Sequence, residues 1–192
     1  NAYAGFQGTQ DIDYHDSRTS GNGDNPIPYR PLDFPRQYPT GDPARPQYVA
    51  ASATEYLVYD NANGDWRNYT RTFAAGTYNV YSRQSTFALP LGQISLERVT
   101  SDRTTSGQTS YVLGCFQQRG DSAGDSGYDV HRDVPLTDAA GNTLVLRFAA
   151  GVDTLRVRDI YVDDRNNADV FHNYIVLRSE EHTSELQSPY VI

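Results

Sequence analysis

From Glu55 to Leu177 apolar and polar residues alternate in short runs separated by turn residues, which is the period-two pattern of strands with one covered face. The runs read EYLVYD, WRNYTRTF, TYNVYSRQ, QISLERVT, TSYVLGCF, YDVHRDVPL, TLVLRFA, TLRVRDIYV and VFHNYIVL. Leu144, Leu146 and Phe148 keep the alternation cleanly, as do Ile94 and Leu96. In TLRVRDIYV the apolar phase switches from Leu155 and Val157 to Ile160 and Val162, which predicts a β-bulge at Arg158 or Asp159. No window of about eleven residues carries a helical stripe.

Turn chemistry predicts two hairpins, one at Ala75-Gly76 and one at DAAGN, residues 138–142. The stretch GDWRNYTRTFAAGTYNVY, residues 64–81, then reads as one hairpin bearing Trp66, Tyr69, Phe73, Tyr78 and Tyr81. Trp66, Tyr69 and Tyr78 lie inside strands and are assigned to the core side or the sheet surface. Many short antiparallel strands with tight turns make an all-β sandwich or barrel.

Residues 21–46 hold most of the chain's ten prolines, so this segment is neither helix nor central strand. It is expected to be a long Pro/Gly-rich loop packed through Tyr29, Phe34 and Tyr38, or else a linker after the strand-like DIDYHD.

A chain of 192 residues, 38% hydrophobic and 21% charged, suits one globular domain that buries roughly 70% of its unfolded surface. Sixteen basic residues, all arginine, face twenty-four acidic ones for a net charge of -8. That balance argues against nucleic acid and anionic membrane surfaces, which need a clustered basic face. No apolar run reaches the ~20 residues of a membrane span, so no membrane insertion is expected. The chain starts at Asn1 and contains no Met, which reads as a metagenomic-type fragment truncated at its N-terminus. Cys115 is the only cysteine, which excludes an internal disulfide and reads as a buried structural thiol.

RSEEHTSELQS, residues 178–188, resembles one translated frame of a widely used DNA-sequencing adapter. Residues 179–192 are therefore expected to be an artefactual or disordered tail, and residues 1–178 the single domain.

The segments GTQDIDYHDSRTSGN, GDWRNYTRTFAAGTYNVYSR, VTSDRTTSGQTSYVLGCF and FHNYIVL together resemble the family-six-like carbohydrate-binding modules, galactose-binding-like β-sandwiches of secreted bacterial multidomain proteins. The likeness runs from Gly8 to Leu177, and its most specific part is W-x-N-Y-T followed by A-G-T-Y-N-V-Y. It implies a jelly-roll-type antiparallel β-sandwich without catalysis that binds polysaccharide through loops at one end, with a structural calcium in many members. Matched by motif, the sugar-flanking aromatics fall on Tyr59 in LVYDN and Tyr128 in DSGYDV, and the hydrogen-bonding amide on Asn173 in FHNYI. A pyranose has apolar faces and a polar rim, which rings and an amide suit. Tyr59 and Tyr128 can equally be tyrosines that cap sheet edges. The acidic pair that holds calcium in the family is missing from NAYAGFQG.

Other chemistry finds less in the residues. DDRNNAD, with Asp163, Asp164, Asn166, Asn167 and Asp169, and DIDYHD, with Asp11, Asp13 and Asp16, offer oxygen ligands without EF-hand spacing, and read as solvated acidic loops. His15, His131 and His172 lack zinc spacing. Asn68-Tyr69-Thr70 fits a glycosylation sequon that reads as coincidence inside a bacterial strand. The expectation is a non-catalytic polysaccharide-binding module, secreted or cell-surface, joined to other domains of a parent chain. The alternatives are a structural or adhesive sandwich without sugar binding and, third, a glycoside hydrolase fragment with paired carboxylates such as Asp129 and Asp133.

Overall fold

The computed structural model describes residues 9, 11–15, 62–87, 91–118, 132–161, 169–180 and 190–191. These contain ten strands and no helix. The strands are β1 (Tyr14–His15), β2 (Trp66–Phe73), β3 (Gly76–Phe87), β4 (Gly92–Val99), β5 (Ser110–Gln118), β6 (Arg132–Thr137), β7 (Val145–Phe148), β8 (Gly151–Tyr161), β9 (Asp169–Ser179) and β10 (Tyr190–Val191). All pairings are antiparallel. The Pro/Gly-rich segment 21–46 and EYLVYD lie outside the described residues.

One layer runs β1-β2-β8-β4-β5 and the other β6-β3-β9-β10, with β7 also on β3. They join where Phe116 and Cys115 of β5 pair with Leu136 and Thr137 of β6. The period-two alternation turns one face of each layer inward. Tyr69, Phe73, Ile94, Leu96, Phe116, Leu155 and Val157 from the first layer meet Tyr78, Val80, Val134, Leu136, Leu146, Phe148, Ile175 and Leu177 from the second. The expected antiparallel β-sandwich is thus what the chain forms, with one continuous core.

The hairpin expected over 64–81 does not form. β2 and β3 lie in different layers and share no ladder. Ala74 and Ala75 carry the chain across the core, because Phe73 and Tyr78 both point inward. The Phe148 ring lies stacked on Phe73 at 4.5 Å and edge-on to Tyr78 at 5.7 Å between centroids. Burying three rings against each other outweighs a two-strand ribbon, which is marginal alone.

The second expected hairpin forms at its tip only, where Leu144 N donates to Leu136 O at 2.8 Å and Thr137 bridges Thr143. Asp138 to Asn142 make a tight turn, with Asp138 N donating to Asn142 O at 2.9 Å, but β6 and β7 do not pair side by side. Both run antiparallel to β3, Pro135 opposite Tyr81 and Val145 opposite Asn79. They are one strand interrupted by an excursion that reaches over to β5 and closes at Thr137 and Thr143.

The expected bulge lies in β8 one position later than Asp159. Gln93 pairs with Tyr161 and Ile94 with Asp159, leaving Ile160 as the extra residue. Ile160 is exposed, and Asp159 instead points inward, where its carboxylate takes the Arg67 guanidinium at 3.1 Å. In the segment 179–192, Ser179 ends β9, Glu180 N donates to Thr77 O at 2.9 Å, and Tyr190–Val191 pair with Leu177 and Val176 of β9.

Candidate functional site

Strand polarity decides which connections meet. Gly92 at the start of β4 pairs with Gln118 at the end of β5, Gln93 with Tyr161 at the end of β8, and Trp66 at the start of β2 with Arg158. In the other layer Phe87 at the end of β3 pairs with Asp169 at the start of β9, and Gln84 with Arg132 at the start of β6. A Cβ on Gly92 would lie 2.6 Å from Val170 Cγ2 and 2.9 Å from Thr86 Cγ2, so these two sets of termini face each other across the core. Segments 16–61, 88–90, 119–131 and 162–168 therefore all attach at this end. The opposite end carries the short connections 74–75 and 149–150.

Tyr59 and Tyr128 lie outside the described residues, within the first and third of those segments. The backbone of Asn173 belongs to β9, where Arg83 pairs with Tyr174 and Gln84 with His172, so Asn173 is the extra residue of a bulge near the same end.

The interior changes character there. Along β3 the inward positions run Tyr78, Val80, Ser82, Gln84 and Thr86, and all are buried. Ser82 Oγ and His172 Nδ1 hydrogen-bond at 3.2 Å. Gln84 is fully buried at 0% exposure, and neither its Oε1 nor its Nε2 has a hydrogen-bond partner. Thr86 Oγ1 and Gln118 Oε1, equally enclosed, also have none. Each such group costs the fold about 1–3 kcal/mol relative to a satisfied one. These residues were not singled out by sequence, although the alternation through TYNVYSRQSTF carries the signal: its inward positions turn from apolar to polar after Val80.

A second polar cluster covers the outer face of the first layer. Arg156 is buried with its guanidinium carbon 3.7 Å from the Trp66 ring centre. It donates from Nε to Asn68 Oδ1 at 3.0 Å and from a terminal nitrogen to Gln108 Oε1 at 2.6 Å. Asn68 and Gln108 both donate to the Ile12 carbonyl, at 2.9 and 2.7 Å. This network ties the 100–109 turn and the Thr9 to His15 segment onto the sheet. Burial, and then the like charge of Arg158, pull the Arg156 pKa down to about 10, so it stays charged at neutral pH. Asn68, the sequon asparagine, is buried and engaged at both amide atoms.

Four strand carboxylates are taken up by arginines: Glu97 by Arg158 at 2.7 Å, Asp133 by Arg83 at 3.1 Å and Arg178 at 2.8 Å, Asp153 by Arg98 at 3.0 Å, and Asp159 by Arg67. Asp11 engages His15 Nδ1 at 2.6 Å, and Asp13 accepts from Thr9 N at 2.8 Å. Among the described residues no group of three or more His, Cys, Asp or Glu is placed to hold a metal. Cys115 is half-buried, and burial, with the nearby Glu97 charge, pushes its thiol pKa up and keeps it protonated.

No protein-family model matches the chain, and no curated protein matches it. Among solved structures it is similar to carbohydrate-binding module CBM36 in complex with calcium and xylotriose, at 17% identity and TM-score 0.43 over 66% of this chain and 84% of that one. It is also similar to CsCBM6-3 from Clostridium stercorarium in complex with cellobiose, at 18% identity and TM-score 0.44 over 67% and 78%. A glycoside hydrolase family 43 arabinoxylan arabinofuranohydrolase from Bacillus subtilis, in complex with cellotetraose, matches at 15% identity and TM-score 0.46, over 66% of this chain and 22% of that one.

Proposed function

We propose that this chain is a non-catalytic polysaccharide-binding module of a larger secreted or cell-surface protein, which grips its glycan through Tyr59 and Tyr128 on loops at one end of the sandwich. The observation that carries the reading is the strand polarity: the strand ends flanking the Tyr59 and Tyr128 segments, at Trp66, Gln118 and Arg132, belong to one end, and the Asn173 bulge lies near it. Rings on loops held by a rigid scaffold suit a flat sugar face. A non-catalytic role agrees with the described strand carboxylates Glu97, Asp133, Asp153 and Asp159 being engaged by arginines. Glycosidic cleavage needs an acid with a raised pKa, whereas the Glu97 pKa is lowered. The module works by tethering, weak recognition gaining strength when several modules engage one polymer.

Affinity electrophoresis through gels containing soluble polysaccharides tests this. Tyr59→Ala and Tyr128→Ala should each abolish retardation while the melting temperature stays within a few degrees. An unretarded parent chain across the glycan panel leaves the structural or adhesive reading, and turnover of a polysaccharide by the parent chain overturns the non-catalytic one.

A further inference from the structure

The first half of β5 is a bare sheet edge. β5 pairs along its length with β4, but on its other side only Cys115 and Phe116 meet a neighbour, Thr137 and Leu136 of β6. Ser110 to Leu113 therefore have no strand beside them among the described residues. Tyr111 is 47% exposed and Val112 58%. The bond from Thr100 N to Thr109 O fixes the phase of the ladder. Arg98 and Tyr111 then form the next hydrogen-bonded pair, and Ser110 and Val112 turn their N–H and C=O groups outward. A bulge follows, where Glu97 pairs with Val112 and Leu96 with Gly114, leaving Leu113 as the extra residue. Natural sheets blunt such edges with charge or proline. Here no charged residue and no proline lies between Arg103 and Arg119. By contrast, β7 carries the exposed Arg147, and β1 is two residues long, flanked by Asp13 and Asp16.

We propose that this edge takes a second copy of the chain, β5 against β5 in antiparallel register about a two-fold axis at Tyr111. In that register Ser110 of each copy lies opposite Val112 of the other, so the outward N–H and C=O groups of both residues are matched. The Tyr111 residues meet at the axis as a non-hydrogen-bonded pair, the arrangement that brings side chains closest and suits two aromatic rings. An antiparallel strand paired with its own copy sets like charges near each other wherever it is charged. In a chain of net charge -8, the uncharged β5 edge escapes that repulsion. Gln118, where β5 ends, marks the loop end of the sandwich, and Ser110 lies at the other end of the strand. The pairing thus leaves the loop ends of both copies open.

Sedimentation velocity of the full chain at rising concentration should show monomer passing into dimer. Val112→Lys places a charge at the centre of the contact and should abolish the dimer, while the melting temperature of the dilute chain stays within a few degrees because Val112 is exposed. Cross-linking under mild oxidation in a Cys115→Ser background reads the register. Tyr111→Cys should give a disulfide-linked dimer, because Cα atoms of a non-hydrogen-bonded pair lie about 4.5 Å apart, within the roughly 4.4–6.8 Å that a disulfide spans. Val112→Cys, which faces Ser110 of the second copy, should stay unlinked. If Tyr111→Cys fails to fold, the Val112→Lys result decides by itself. A parent chain that stays monomeric overturns the pairing, whether the edge stays bare or a strand of another protein takes it. A dimer that survives Val112→Lys, or that links through Val112→Cys as readily as through Tyr111→Cys, uses another surface or register and overturns it as well.

Discussion

The Arg156 guanidinium lies over the Trp66 indole, 3.7 Å from its centre, in a pocket where amide oxygens from Asn68 and Gln108 stand in for a carboxylate. Trp66 is the only tryptophan, so its emission reports on this site, where the His15 ring also stacks on the indole. Arg156→Leu should red-shift that emission and destabilise the fold by about 2–3 kcal/mol in urea unfolding, from the lost charged hydrogen bonds and cation–π contact. Arg156→Lys should recover less than half, because an ammonium lacks the planar fork.

Glu97 gives the fold an acid limb. Burial opposes its ionisation, but hydrogen bonds from Arg158, Ser110 and Ser95 hold its pKa below the ordinary 4.5. The unfolded chain therefore takes up this proton more readily than the native one, so the stabilisation is complete above about pH 4.5 and is lost as pH falls through the native value. Melting temperature followed from pH 7 to pH 3 should fall less steeply in Glu97→Gln than in the parent chain, although the variant is less stable at pH 7.

Phe148 is the ring on which Phe73 and Tyr78 both rest. Phe148→Ala should cost about 3–5 kcal/mol in denaturant titration. Phe148→Leu should recover part of this.

Gly114 sits at the seam between the layers. A Cβ there would lie 2.8 Å from the Thr137 carbonyl oxygen and 2.7 Å from Leu144 Cδ1, whereas at Gly107 it would meet nothing within 4 Å. Gly114→Ala should destabilise by about 1–3 kcal/mol and Gly107→Ala by less than about 0.5 kcal/mol. Equal melting temperatures for the two variants would contradict the seam as described.

Strand existence was legible because alternation is local: WRNYTRTF corresponds to β2 residue for residue, and Ile94, Leu96, Leu146 and Phe148 are buried as their phase requires. Strand partnership was not, because a turn sequence says that the chain reverses and not which sheet receives it. Ala75-Gly76 reads the same whether the next strand pairs with β2 or crosses the core, and Phe73, Phe148 and Tyr78 decide it from 75 residues apart in sequence. The bulge was visible as a phase change, yet the Arg67 pair drew Asp159 inward where an apolar rule expected Ile160. Of the motif-derived site, Tyr59 and Tyr128 lie outside the described residues, and Asn173 is placed by its backbone. The Gln84 and Thr86 interior needed the core face of β3 to be fixed first.

β8 is the strand on which both β2 and β4 are aligned, and the Arg67 to Asp159 pair spans 92 positions. During synthesis, β2 and the β4–β5 ribbon must wait for most of the chain to emerge before the first layer can assemble. Closing such distant pairings carries a loop entropy that places this sandwich among slow folders, with β4–β5 as the earliest native ribbon to form and the longest-lived half-built surface a ribosome or chaperone would meet.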